Sequence, residues 1–327
     1  MKLPIPIDAS LLHLYIDRLG AIGRQEGGGI TRPVYSPAWI EAQEQLAVWM
    51  RAAGLEVRQD AVGNLCGRLR GRDDSQTILT GSHLDTVPSG GRYDGALGIL
   101  AGLVALRALG ARVGQPRRSL EVVALCEEEG SRFPAHYWGT RALLGLIEPD
   151  ELERLRDEGG TGIAQAMRAA GLRPERYRQA IRQDLDAFLE LHIEQGRVLF
   201  DERIDLGIVQ AIVGLQQRWI RVSGRADHAG TTPMDLRRDA LLGAAQMAGD
   251  ITRLVEQEGR PAVCTLGKWE VRPAAMNVVP ETVQFSLDLR HPDEGTKQRL
   301  AAAIWARCQA VAQERGLTVV SELLSDS

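Results

Sequence analysis

Cysteine is scarce in this chain: Cys66, Cys126, Cys264 and Cys308 are the only four in 327 residues, and no two have CxxC spacing. That argues against a thiolate zinc site and a disulfide framework, and fits reduced, mostly buried thiols in a reducing compartment. Charge of one sign is not in excess either. With 43 acidic and 39 basic residues the net charge is -4, so nothing in the balance points to nucleic acid or an anionic membrane as a partner. Small polar substrates remain open. No apolar run approaches the roughly 20 residues of a bilayer span, and the start, "MKLPIPIDAS", lacks the basic-then-apolar form of a secretory signal. The expected location is cytoplasmic. Internal repeats and low-complexity tracts are also missing.

What is present is enough apolar residue, 44% of 327, to bury a sizeable core, and a length that suggests two domains. In the first half helix and strand signals alternate. Ser36-Pro37 reads as an N-cap with proline at the first helical position, followed by apolar spacing through Leu46, Val48 and Trp49 and a stop at Gly54. Leu55 to Val57 and Asn64 to Leu69 read as short strands, Thr77 to Thr80 and Leu120 to Cys126 as buried strands, and Leu97 to Leu109 as a helix. The stretch from Pro149 to Leu189 reads as polar and helical. This alternation predicts α/β architecture.

The pattern changes near Gly214. Arg218 to Val222 reads as a strand, Leu236 to Glu256 as an amphipathic helix and Ala262 to Leu266 as a strand. From Glu281 to Arg290 the alternation is strict, with Val283, Phe285, Leu287 and Leu289 on one face and polar residues on the other. A helix over Gly295 to Arg315 and a strand over Leu317 to Leu324 complete a split βαβ unit. The expected division is residues 1–213 and 214–327.

Three clusters carry chemistry. "SHLDTVPSGGRYDG" places His83, Asp85 and Asp94 just past an expected strand end, where open α/β sheets bind their ligands. His83 and Asp85 are two apart and point the same way on an extended backbone, so Asp85 is expected to hold the ring nitrogen that His83 does not offer to a metal. Gly90 and Gly91 are expected to supply the tight turn that returns Asp94. Leu120 to Cys126 runs into Glu127-Glu128-Glu129, three acids that repel one another unless a cation or water lies among them. In "LELHIEQG", His192 stands between Glu190 and Glu194. Imidazole and carboxylate without thiolate suit Zn2+ or a related ion in an open hydrolytic site. Each cluster also has a plain reading, as a surface turn, a solvated acidic face or a hydrogen-bonded histidine. The residues by themselves do not choose a base among Glu127, Glu128 and Glu129.

"GSHLDTVPSGGRYDG", "EEEGSRFP", "HIEQG", "DHAGTTPM" and "MNVVP…LDLRH" together resemble, in order and approximate spacing, the dinuclear-metal amidohydrolases of the M20 peptidase family. The branch is that of N-carbamoyl-L-amino-acid hydrolases, allantoate amidohydrolases and β-ureidopropionases, and the resemblance runs from about Leu19 to about Leu324. It implies a catalytic domain with a central mixed sheet flanked by helices, and a smaller α+β, ferredoxin-like dimerisation domain. It implies that His83 and His192 bind one metal, Asp94 bridges two, Glu129 binds the second, Asp85 orients His83, and Glu128 is the general base. The two ions per subunit would be Zn2+, with Mn2+, Co2+ or Ni2+ as alternatives. His228 would stabilise the oxyanion in a partner subunit's site, making the enzyme a homodimer. Asn277 and Arg290 would grip a substrate carboxylate, with Gln195 as a further contact. The implied substrate is a small ureido or linear amide compound carrying a carboxylate.

One departure is expected to matter. In the family the core resumes after the small domain and its returning segment brings a final metal-binding His. The six His here are His13, His83, His136, His192, His228 and His291, and none matches that position. The chain therefore reads as a truncated form of a longer enzyme. The alternatives are a non-catalytic remnant acting as a dimerising or ligand-binding module, and a dipeptidase or aminoacylase of the same family. A Cys126 nucleophile is the outside alternative, set against a buried inert thiol at the end of an apolar strand.

Overall fold

A computed structural model describes residues 5–326 and divides by packing into two units, Met1–Glu202 and Arg203–Ser327. In the first unit, α1 (Ala9–Leu19) is capped by Asp8, whose carboxylate accepts from the Leu11 amide. The expected cap of α2 (Pro37–Ala52) is observed: the Ser36 hydroxyl accepts from the Trp39 amide and Pro37 takes the first turn. Trp39, Ala42, Leu46, Trp49 and Met50 then recur at helical spacing and are buried. β1 (Glu56–Gln59) and β2 (Leu65–Leu69) form a hairpin whose turn closes on the buried Asp60 carboxylate, which accepts from the amides of Val62, Gly63 and Asn64.

β3 (Asp73–His83) is longer than the sequence suggested, because parallel pairing with β4 (Arg118–Leu125) continues to the His83–Leu125 register. α3 (Ala96–Val113) joins the two strands. By length and composition it could cross a membrane, but it packs on β3, β4 and α1 and buries Ile99, Leu100, Leu103 and Val104 in the first unit's core.

The short helices α4 (Trp138–Leu144), α5 (Glu151–Arg154) and α6 (Ile163–Ala169) follow. The stretch read as helical to Leu189 ends instead in a strand, β5 (Leu185–Leu189), parallel to β3. Its formation is decided by distant partners: the Thr77 amide donates to the Asp184 carbonyl at 2.8 Å and the Thr80 hydroxyl to the Leu189 carbonyl at 2.8 Å. The sheet order is β1-β2-β4-β3-β5, with β4, β3 and β5 parallel and β1 and β2 joined antiparallel. α7 (Val198–Glu202) closes the unit.

The second unit contains β6 (Gly214–Ser223), β7 (Asp227–His228), α8 (Ala240–Glu258), β8 (Val263–Thr265), β9 (Trp269–Arg272), β10 (Val278–Val279), β11 (Thr282–His291), α9 (Glu294–Glu314) and β12 (Thr318–Asp326). Its antiparallel sheet runs β12-β6-β11-β8, with β9 also on β11, which is the order of a split βαβ fold. The alternation in β11 is realised: Val283, Phe285, Leu287 and Leu289 are buried against residues of α8 and α9 such as Ile251, Ile304 and Val311. β9 and the small β7–β10 pair were not expected from the sequence. β9 exists through its register with β11, four residues that carry no strand pattern strong enough alone.

Candidate metal centre

Three parallel strands, β4, β3 and β5, end on the same side of the first unit's sheet, and the segments leaving them carry the acids and imidazoles. His83 is the last residue of β3 and is buried. Its Nδ1 lies 2.8 Å from the Asp85 carbonyl oxygen, so the proton sits there and Nε2 is free to face the centre. His192, beyond β5, repeats the arrangement: Nδ1 is 2.9 Å from the Ile193 carbonyl. Both Nε2 atoms point at one oxygen, Asp94 Oδ1, at 3.6 Å from His83 and 3.1 Å from His192. The other oxygen, Oδ2, accepts from Gln195 Nε2 at 2.7 Å.

Two sets of side chains bring ligand atoms within 4.8 Å of one another: His83 with Asp94 and His192, and His83 with Glu128 and Glu129. The three consecutive glutamates are thereby told apart. Glu127 turns inward and is fully buried, its Oε1 accepting from the amides of Phe133 at 2.6 Å and Arg132 at 3.1 Å. Glu128 and Glu129 turn to His83.

Two expectations about this loop need correction. The Asp85 carboxylate does not hold the His83 ring; the Asp85 main-chain carbonyl does. The carboxylate, buried beneath the loop, accepts from the amides of Glu128 and Glu129 at 3.2 Å each. An extended backbone puts both side chains on one face, but after His83 the chain leaves the strand, and the carbonyl then lies nearer the ring. In the turn before Asp94, expected to rest on Gly90 and Gly91, the left-handed residue is Ser89 (φ 55°), while neither of those glycines has a positive φ.

The electrostatics fit a cation. Burial works against a charge on His83, yet its contact with Asp94 and the charges of Asp85 and Glu128 push its pKa up to about 9. Burial raises the carboxyls of Glu128 and Glu129, and neighbouring acids add to it while His83 offsets part. The contact with His83 lowers that of Asp94. Asp94 Oδ1, buried between two imidazole nitrogens, has no hydrogen-bond partner among the described residues, an arrangement costly for an acid oxygen unless a cation is bound there. With imidazole and carboxylate donors and no thiolate, these residues fit a divalent metal ion.

Sequence reasoning missed two supports. Glu190, directly after β5, hydrogen-bonds the Ser82 hydroxyl at the end of β3. Asn64 accepts from the Cys126 amide and donates to the Asp60 carboxylate and the Gly139 carbonyl, fixing where β4 ends. The position of Glu190 two residues before His192 was a usable signal; Asn64 carried none. The Cys126 thiol is fully buried, donates to the Val62 carbonyl, and is held protonated by burial, with Asp60 and Asp85 adding to the effect.

The other expected residues lie in the second unit. His228 on β7 faces Val278 of β10, its Nδ1 accepts from the Gly230 amide at 3.1 Å, and the Asn277 carbonyl accepts from Ala229. His228 and Asn277 are thus neighbours. Arg290 is engaged by Asp288, at 2.7 Å from Nε and 3.1 Å from Nη2.

The chain matches the model of peptidase family M20/M25/M40 over residues 79–325. It is 40% identical over 309 residues to the allantoate amidohydrolase of Escherichia coli (strain K12), covering 94% of this chain and 75% of that protein. It is 43% identical over 295 residues to the N-carbamoyl-L-amino-acid amidohydrolase of Paenarthrobacter aurescens, covering 89% and 72%. The crystal structure of a hydantoinase/carbamoylase family amidase from Burkholderia ambifaria superposes with a TM-score of 0.91 at 35% identity, covering 99% of this chain and 78% of that one. The motifs, the sheet that presents them and these likenesses agree: the chain belongs to peptidase family M20/M25/M40.

Proposed function

We propose that this protein is a metal-dependent amidohydrolase that cleaves a C–N bond of a small ureido compound bearing a carboxylate, of the N-carbamoyl-L-amino-acid or allantoate kind. The observation that carries the reading is the buried Asp94 oxygen, which among the described residues has no hydrogen-bond partner and lies between the Nε2 atoms of His83 and His192, with Glu128 and Glu129 grouped on the same His83. His83, His192, Asp94 and Glu129 are the proposed ligands of two ions, with Zn2+ first among the choices. Divalent ions there supply a Lewis acid for the scissile carbonyl and acidify a water. Glu128 takes the proton of the attacking water and passes it to the leaving nitrogen. Asp85 and Gln195 support this by position: one holds the loop amides beneath Glu128 and Glu129, the other holds Asp94.

The same reading makes the protein a cytoplasmic homodimer in which His228 meets the developing oxyanion in a partner subunit and Asn277 and Arg290 take the substrate carboxylate. The adjacency of His228 and Asn277 supports this, and Arg290 would exchange Asp288 for the substrate's acid.

The test is ammonia release by zinc-loaded protein from N-carbamoyl-L-amino acids and from allantoate. Turnover that falls by about 10²- to 10⁴-fold in Glu128→Gln, with zinc still bound, supports the assignment. Full turnover in that variant removes Glu128 as the base. Bound zinc without release from any of these substrates sinks the reading in favour of a non-catalytic ligand-binding module.

A further inference from the structure

We propose that Glu127 is a positioning residue for the metal centre: its buried carboxylate ties the chain back on itself at Arg132 and Phe133 and so sets the angle at which Glu128 and Glu129 meet His83. This rests on the reading of these side chains as a metal centre.

The segment 127–137 is closed at its base by main-chain pairing, Gly139 to Cys126 at 2.9 Å, Trp138 to Glu127 at 3.0 Å and Tyr137 to Glu128 at 3.0 Å. Above that base the main chain adds one bond, from the Ala135 amide to the Phe133 carbonyl at 2.7 Å, and side chains supply the further restraint described next. Asp85 accepts from the amides of Glu128 and Glu129, and Glu127 accepts from those of Arg132 and Phe133. Two buried carboxylates therefore hold the two halves of one loop by its main chain. Arg132 extends the second anchor outward, donating to the Val34 carbonyl at 2.8 Å and to Asp157 at 3.2 Å.

The backbone at Glu127 is left-handed, φ 48°, a conformation that glycine takes without strain and a glutamate does not. What glycine lacks is the acceptor. The turn also reverses the chain between adjacent acids, sending Glu127 inward while Glu128 and Glu129 reach the His83 group. Glu127 belongs to neither set of metal-ligating side chains, so it acts through the loop and not on the ion. Side chains that orient metal ligands typically change affinity or activity 10- to 100-fold when removed.

The experiment compares wild type with Glu127→Ala, Glu127→Gly and Glu127→Gln, all held well below their thermal transitions. Zinc affinity is read by chelator competition, kcat and KM by ammonia release, and the Arg132 and Phe133 amides by hydrogen exchange. The alanine variant keeps the left-handed strain and loses the hydrogen bonds that offset it, whereas the glycine variant loses both, so glycine keeps the test open if alanine fails to fold. The glutamine variant keeps an acceptor oxygen in the same place without the charge. We expect zinc affinity and kcat to fall about 10- to 100-fold in the alanine and glycine variants, with KM changed less than about threefold and both amides exchanging faster. Glutamine should restore all of these to within about threefold of wild type. Wild-type zinc affinity in the alanine and glycine variants overturns the proposal, and so does a glutamine variant as impaired as alanine, which would mean that the charge itself acts. Zinc bound by wild type without ammonia release sinks the proposed reaction but leaves the affinity comparison to decide on Glu127.

Discussion

At the scale of single residues, an ionic cluster outside the metal centre secures β5. Arg182 grips Asp184 with both arms of its fork, at 2.6 and 2.7 Å, and reaches the fully buried Glu121 at 2.9 Å, while the Thr77 hydroxyl donates to Asp184 at 2.6 Å. The Arg182 contact holds the Asp184 carboxyl well below the usual carboxylate range, against the opposing effect of burial. A depressed acid contributes stability above its unfolded pKa, near 4, and that contribution is lost as pH falls through the folded value. Asp184→Asn should therefore cost about 1–3 kcal/mol at pH 7, and the gap from wild type should narrow below about pH 4. Urea unfolding at pH 7 and pH 3 measures it; a gap that stays constant contradicts the assignment.

At the scale of elements, α3 begins where the metal centre ends. Asp94 is followed by Gly95 in left-handed geometry, φ 63°, where a Cβ would run into the carbonyl oxygen and ring of His83. Gly114, just past the other end of the helix, has nearly the same φ, 64°, with nothing near a Cβ. The pair separates backbone strain from contact. Alanine at either position should cost about 1–3 kcal/mol in stability through strain, but only Gly95→Ala should also lower zinc affinity, by tenfold or more, since it displaces a ligand. Chelator competition on both variants reads the difference, and equal affinities would show that the helix start does not set the position of His83.

At the scale of the whole molecule, the two units have separate cores, one built around Trp39, Leu100 and Val122 and the other around Ile220, Phe285 and Ile304. Every side chain of the two metal-ligating sets belongs to the first unit. A ligand that binds only the folded form stabilises what it binds. Calorimetry with zinc and with chelator should then show a metal-dependent transition for the first unit and a second transition that stays in place. A uniform shift of all unfolding would mean that the two cores melt together.

How much of this was legible in sequence follows from the range of each interaction. The Ser36-Pro37 cap and the alternating face of β11 are local patterns, and both stand as read. The kind of donors gathered at the centre was legible too, because imidazole and carboxylate residues occur in short motifs at strand ends. The strand β5, the turn of Glu127 away from Glu128 and Glu129, and the hold of the Asp85 carbonyl on His83 were not. Each depends on a partner remote in sequence or on the direction the chain takes after leaving the sheet: β5 on Thr77 and Thr80, Glu127 on its left-handed backbone and the amides of the returning loop. Residue type and spacing determined what chemistry the protein carries. The family resemblance had already given Glu128 and Glu129 their roles; only the tertiary structure decided what becomes of Glu127, turned inward onto the amides of Arg132 and Phe133, because side-chain direction at a turn is set by packing and hydrogen bonds that no local pattern encodes.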